Sequence, residues 1–377
     1  MRVCHLTSAH PRHDVRICEK ECVTLAKNGF ETYLIVNDDL EDEDYKGVHI
    51  ISTGKKHSSR ISRMVDGPRM VLKKALDTKA DIYHFHDPEL LTFSARLLKT
   101  GSKVIFDMHE DTEKQISTKY WIPRFLRSGL SFGYGVYSHR IFRKLSGLIT
   151  VTPSFVEKLR QYNSQVILVT NYPILDSDPD HKQGAPIVSD GDQPYVFFAG
   201  GISEQWCHES IAEAVKRVPE IKYKFAGKGD REYIDRIVHI GGDHVEYLGL
   251  LPHDQVSDYY CGSVAGVALN YNYTQVGKEG TLGNTKLFEV MQSGKPVICS
   301  DFKLWREIIE ENHCGICVDP DHQEELIKAL RFIVDNPDQA ADMGKNGARI
   351  IREKYNWNTQ VQELLKFYES ICESEAE

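Results

Sequence analysis

The stretch Gly283–Asp301, GNTKLFEVMQSGKPVICSD, decides the fold class, because a loop, a helix and a buried strand follow one another within it. Asn284 or Thr285 can cap a helix start, Leu287, Val290 and Met291 recur at helical spacing, and Gly294 ends the pattern before the apolar run Pro296–Ser300. At about 100 degrees per residue, Thr285, Lys286 and Glu289 share the polar face. Gly283 lets a ligand approach the backbone, and the free amides of the helix start attract an anion. One turn on, the Glu289 carboxylate can accept hydrogen bonds from the vicinal hydroxyls of a ribose whose diphosphate lies on those amides. Taken alone, Lys286 and Glu289 read equally as an exposed pair worth about 0.3 kcal/mol.

Outward from this unit the same grammar repeats. RVCHLTS, ETYLIVND, DIYHFHD, KVIFDMHE, GLITVTP and QVILVTN read as strands in the first half, with VRICEKECVTLAKNG as a helix ended by Asn28 and Gly29. PYVFFAGG, KYKFAGKGD, HVEYLGLLP, VAGVALNY, KPVICSD and CGICVDP read as strands in the second. Strands alternating with helices imply parallel sheets covered on both faces. The aperiodic stretch Ile174–Pro194, rich in Asp, Pro, Gly and Ser, is a linker, and the acidic run Asp38–Asp44 reads as a solvated loop. A chain of 377 residues exceeds one ordinary core. The expected organisation is an N-terminal Rossmann-like α/β domain over 1–175, a linker over 176–193, a second over 194–355, and a closing helix over 356–377 that packs back on the first. Ligands of open α/β sheets bind beyond the C-terminal ends of the strands, so the expected site is a cleft between the two facing domains.

Composition narrows the partners. An apolar content of 41% with a mean hydropathy of -0.40 fits a globular chain, and no apolar run reaches the roughly 20 residues of a membrane span. The N-terminal MRVCHLTSAHPR enters a strand at once, without the pattern of a secretion signal, and the nine scattered cysteines give no disulfide framework; a cytoplasmic location is expected. Cys314 and Cys317 form a single Cys-x-x-Cys that reads as part of a buried strand, and no metal site is expected. A net charge of -9 argues against nucleic acid. Two segments run the other way: Lys55–Lys74, and Lys114–Lys144, where Lys114, Lys119, Arg124, Arg127, Arg140, Arg143 and Lys144 alternate with aromatic and aliphatic residues. The second segment suits peripheral contact with an anionic membrane.

The common phosphate signatures are absent: SAHPRHDVR follows the first strand instead of Gly-x-Gly-x-x-Gly, FAGKGD does not continue it, and no P-loop is present. The set DIYHFHDPELL, VIFDMHED, ITVTPSF, FFAGG, KFAGKGD, YLGLLP, TKLFEVMQSGKPVICSDFKLWREII and CGICVDP, in this order, resembles glycosyltransferase family 4. These are retaining, nucleotide-sugar-dependent enzymes of the GT-B fold, and the likeness is greatest to bacterial members that assemble surface polysaccharides. The resemblance implies that Glu289 holds the donor ribose and that Gly283, Asn284, Thr285 and Lys286 take the diphosphate. It implies further that Gly200 and Gly201 lie beside the phosphates, Gly227 and Lys228 near the nucleoside, and His109 near the transferred sugar.

Three departures matter. The first glutamate of the family's pair falls at Thr281, with Glu279 as its candidate substitute; no base lies between Gly201 and Cys207; and the first loop lacks its glycine pair. Diphosphate charge is therefore expected to be met by Arg12, Arg16, Lys228 and Lys286. His84, His86 and Asp87 at one strand end, with Glu110 beside His109, are the acceptor-side candidates. The resemblance implies transfer with retention from a nucleotide-diphosphate sugar to a glycan or lipid-linked acceptor, without cofactor or metal. A nucleotide-sugar epimerase of the same fold, or a catalytically silent carbohydrate-binding relative, is the alternative.

Overall fold

The computed structural model describes residues 1–55, 60–109, 111–118, 122–175, 193–272 and 277–373. The chain divides into two compact units, Met1–Asn171 with Trp357–Glu377, and Tyr172–Asn356. The first division falls a few residues ahead of the expected boundary. Tyr172 joins the second unit because its ring packs 4.9 Å from Phe288 and 5.4 Å from Tyr355.

In the first unit, β1 (Arg2–Leu6), β2 (Glu31–Val36), β3 (Glu43–Tyr45), β4 (Val48–Ser52), β5 (Ile82–Phe85), β6 (Lys103–Met108), β7 (Gly147–Thr150) and β8 (Val166–Leu168) form one sheet. Its order is β3-β4-β2-β1-β5-β6-β7-β8, parallel except for β3, which runs antiparallel to β4. The β3–β4 pair departs from the sequence reading, which placed a loop over Asp38–Asp44. Glu43 and Asp44 are compatible with a strand here because β3 is an edge, where charged side chains reach water. Strand order reverses around β1, so the loops after β1 and β5 open side by side, where an open α/β sheet binds ligands.

In the second unit, β9 (Tyr195–Ala199), β10 (Lys222–Ala226), β11 (Val245–Tyr247), β12 (Ala265–Ala268), β13 (Val297–Ser300) and β14 (Gly315–Val318) make a parallel sheet ordered β11-β10-β9-β12-β13-β14. Helices cover both faces, so successive residues of a strand enter different cores. Phe198 packs with Val196, Ile211 and Val267, whereas Phe197 packs with Tyr260, Leu287 and Met291. Of CGIC, Gly315–Cys317 lie in β14 next to β13, with Cys314 buried just ahead of it, and both cysteines are free thiols.

Three helices matter below. α1 (Arg124–Phe142) turns Gly135, Ser138 and Phe142 inward. α2 (Thr285–Gln292) buries Leu287, Phe288, Val290 and Met291, the stripe read from its periodicity. α3 (Trp357–Glu373) belongs to the first unit: Trp357 Nε1 donates to Thr24 Oγ1 at 2.9 Å, and Leu364, Phe367, Tyr368 and Ile371 are buried. Phe367 comes so close to β7 that a Cβ on Gly147 would lie 2.3 Å from its ring. Before these, Val15–Cys22 winds as a π-helix rather than the expected α-helix, with the Asp14 side chain capping the amides of Arg16 and Ile17. Among the described residues no helix is long and apolar enough to cross a membrane.

Candidate functional site

The second unit contains a cavity of about 790 Å3 at the strand ends, within the roughly 300–1,000 Å3 of small-ligand sites. Gly200 and Gly201 after β9, Gly227 and Lys228 after β10, and Thr285, Lys286 and Glu289 on α2 line it together. Seven residues expected from sequence thus meet in one place. The two turns interlock: Gly200 N–H donates to Ala226 O at 3.0 Å, and Ile202 N–H to Lys228 O at 2.9 Å. Glycine is required at 227, where φ is +140° and a Cβ would fall 1.7 Å from the Gly200 carbonyl oxygen. Gly283 and Asn284 do not line the cavity. Asn284 is buried and caps α2, its side-chain oxygen accepting from Lys286 N–H at 3.1 Å.

Lys286 is the central charge. Its ammonium lies 3.8 Å from the centre of the Trp206 ring, and its Cε would be 2.3 Å from a Cβ on Gly200. Burial lowers its pKa to about 8, with the charge of Glu289 opposing. Trp206 carries no phosphate signal in GGISEQWC, where the direct solution would be a base. An aromatic face that holds a lysine in place is an indirect solution to the same electrostatic need. Arg352, Tyr260 and the apolar group Leu175, Leu250, Leu251, Val256 and Ile351 also line the cavity and carried no local signal. Glu279 does not line it; its carbonyl accepts from Leu304 N–H at 3.0 Å.

The first unit brings together His5 of β1, His84 of β5, and His86 and His109 just after β5 and β6. Five residues apart on the π-helix, Arg16 and Glu21 face the same way, and Arg16 Nε lies 3.1 Å from Glu21 Oε1. Arg16 also grips Asp107 through both oxygens, at 2.9 and 3.1 Å. Burial alone would raise the Asp107 carboxyl, but Arg16, His109 and His86 hold it well below the usual carboxylate range. Burial and the charge of Asp107 push Glu21 well up, with Arg16 opposing. His109, 22% exposed at its side chain, has its pKa lowered to about 3 by burial, against the pull of Asp107.

Several expectations are corrected here. Arg16 is buried and spent on Asp107 and Glu21, and Arg12 forms a bidentate pair with Asp38 and a third contact to Glu43, so neither brings free charge to a diphosphate. Arg352 is the basic group that joins Lys228 and Lys286 at the cavity. His84 is fully buried and hydrogen-bonded to Tyr368 of α3 at 2.6 Å, so it faces the core and no acceptor. His86 is likewise interior, at 2.9 Å from His5. Asp87 is turned back onto the β1 loop, accepting from Thr7 Oγ1 at 2.8 Å and Ser8 N–H at 2.5 Å. Glu110 lies outside the described residues.

The chain is similar to known proteins in sequence and in fold. The family model "Glycosyltransferase Family 4" matches residues 16–171, and "Glycosyl transferases group 1" matches residues 181–350. Phosphatidyl-myo-inositol mannosyltransferase of Mycolicibacterium smegmatis is 21% identical over 342 residues, spanning 86% of this chain and 81% of the relative. Sucrose-phosphate synthase from Thermosynechococcus elongatus superposes with a TM-score of 0.76 at 15% identity, over 99% of each chain. HepE of Anabaena, in complex with UDP-glucose, superposes with a TM-score of 0.70 at 12% identity, over 98% of this chain and 100% of that one. The two family models span successive parts of the chain, 16–171 and 181–350, and the chain belongs to glycosyltransferase family 4, with the GT-B fold.

Proposed function

We propose that this glycosyltransferase moves a sugar from a nucleotide-diphosphate donor to a glycan or lipid-linked acceptor, with retention at the anomeric carbon and without cofactor or metal, in bacterial surface-polysaccharide synthesis. The observation that carries the reading is the shared polar face of α2: Lys286 and Glu289 look into one cavity with the glycine turns after β9 and β10. The diphosphate rests against Lys286, the helix start and the Gly200 turn, with Lys228 and Arg352 adding charge. Glu289 accepts the two ribose hydroxyls, and the apolar wall of Leu250, Leu251 and Val256 covers the base. As the donor bond breaks, negative charge grows on the diphosphate, and positive groups fixed in advance favour that state over the ground state. The departing phosphate oxygen then takes the acceptor's proton. Thermal stabilisation by a panel of nucleotide sugars tests this, since a ligand at 100 times its Kd adds about 2.7 kcal/mol. Failure of every nucleotide sugar to stabilise the protein would remove the reading, and product analysis without acceptor separates transfer from epimerisation.

Peripheral membrane contact through 114–144 belongs to the same proposal. On α1, Phe125 is 83% and Phe132 74% exposed, and Leu126, Leu130, Val136 and Tyr137 are exposed beside them, on a helix that also carries Arg124, Arg127 and Arg140. An apolar surface bordered by cations fits an interface of anionic headgroups over acyl chains. Flotation with vesicles containing an anionic lipid should retain the protein, and Phe125→Ser with Phe132→Ser should release it without changing its unfolding temperature.

A further inference from the structure

Four buried side chains, His86, His5, Tyr368 of α3 and His84, continue in a line from His109. Tyr368 Oη lies 2.6 Å from His84 Nδ1 and 3.3 Å from His5 Nε2. His5 Nδ1 meets His86 Nε2 at 2.9 Å, and His86 Nδ1 meets His109 Nε2 at 3.3 Å. His5, Glu21, His84 and His86 are near enough together to hold a metal ion, but the ring nitrogens of His5 and His86 are turned onto each other in hydrogen-bond geometry, which spends them as a chain.

The three inner members, Tyr368, His5 and His86, each sit between two partners and have one proton to give, so their protons must all point the same way along the chain, and only two arrangements exist. In one, every proton runs from His109 toward His84. His84 Nε2, which has no partner among the described residues, would then carry a buried, unpaired N–H, and the lone pair of His86 Nδ1 would face the Asp107 carboxylate at 3.4 Å. Orphaned buried donors are rarer than orphaned acceptors, and an ionised carboxylate can only accept. In the other arrangement the orphan at His84 is an acceptor and not a donor, and the proton beside Asp107 Oδ2 sits on the nearer nitrogen, His86 Nδ1 at 3.4 Å, leaving the bare His109 Nε2 at 3.7 Å. His84 Nδ1–H donates to Tyr368, Tyr368 O–H to His5 Nε2, His5 Nδ1–H to His86 Nε2, and His86 Nδ1–H to Asp107 Oδ2 and His109 Nε2. The His84 end selects this direction, and the shorter contact at the Asp107 end favours it.

We infer that the buried relay Tyr368–His5–His86, oriented by Asp107, is a positioning device that locks His109 in the Nδ1–H tautomer, so that the outward nitrogen is a hydrogen-bond donor and not a base. Nε2 points in toward His86 and Asp107, and Nδ1, on the far side of the ring, makes no hydrogen bond to any described residue. What His109 recognises is therefore an oxygen acceptor, a sugar hydroxyl or a phosphate oxygen. Its depressed pKa keeps the ring neutral at physiological pH, so the donor carries no charge. This deepens the proposed function by giving His109 a recognition role at the transferred group, but the tautomer is set by the first unit alone and is read without any substrate.

Nitrogen-15 NMR of the full chain labelled at histidine decides the matter, with the His109 signals assigned by their loss in His109→Gln. A protonated Nδ1 beside a bare Nε2 is expected; a protonated Nε2 would overturn the proposal, whatever the enzyme's donor proves to be. In Asp107→Asn the amide can donate to His86 Nδ1, and His109 is expected to become a mixture of tautomers; an unmixed Nδ1–H form there would show that Asp107 does not orient the relay. Should that variant not fold, the wild-type spectrum decides alone.

Discussion

Lys286 shows how one buried cation sets the pH response of a binding site. Its folded pKa of about 8 lies below the ordinary 10.5, because burial disfavours the charged form. The sign follows from that direction. Below pH 8 the fold carries the cost of a buried ammonium, and the free protein gains stability as pH rises from about 8 toward 10.5. A diphosphate prefers the ammonium, so its affinity should fall over the same window. Titration calorimetry of the nucleotide between pH 7 and 10 should show this decline, and Lys286→Met should remove it while costing about 1.5–3 kcal/mol, or roughly 10- to 150-fold in Kd. Glu289→Ala should cost a similar factor and move the pH dependence to lower pH, since the carboxylate that opposes the effect of burial on Lys286 is gone. Full-speed transfer by Glu289→Ala would contradict the assigned ribose contact. Trp206→Leu should weaken the nucleotide less, by about 0.5–2 kcal/mol, because Lys286 is then present but unguided.

At the scale of the element, the turn after β10 and the start of α2 are the parts with least freedom. In Gly227→Ala the new methyl meets the Gly200 carbonyl at a φ that side chains rarely adopt, so the variant should lose about 1–3 kcal/mol in thermal unfolding and its nucleotide affinity with it. Asn284→Ala should cost about 1 kcal/mol by removing the cap of α2. Sequence was a good guide where period and chemistry coincide. All six strands of the second sheet and the division of α2 into a buried stripe and a polar face could be read, because Leu287, Val290 and Met291 recur at 3.6-residue spacing and Gly294 stops them. It failed where the deciding partner is distant. Arg16 looked like a free cation until Asp107 and Glu21 closed on it, and the π-helix that aims Arg16 and Glu21 together has apolar spacings that fit an α-helix as well. Arg352 and Tyr260 reach the cavity from helices that nothing in GNTKLFE announces.

For the whole molecule, the decisive feature is that the first unit is built from both ends of the chain. α3 supplies Trp357, Leu364, Phe367, Tyr368 and Ile371 to a core otherwise made by Val3, Leu25, Ile82, Ile105, Ile149 and Val169. Ending the protein at Asn356 would expose that core, at roughly 1.5–3 kcal/mol for each large buried side chain that α3 covered. The truncated chain should lose cooperative unfolding of the first unit, while nucleotide binding by Tyr172–Asn356 persists; differential scanning calorimetry with and without nucleotide reads both. The same return of the chain orders events during synthesis. Because α3 follows Tyr172–Asn356 in the sequence, the unit encoded in the middle can complete its contacts first, while Met1–Asn171 keeps a hydrophobic interior open to chaperones until α3 joins it.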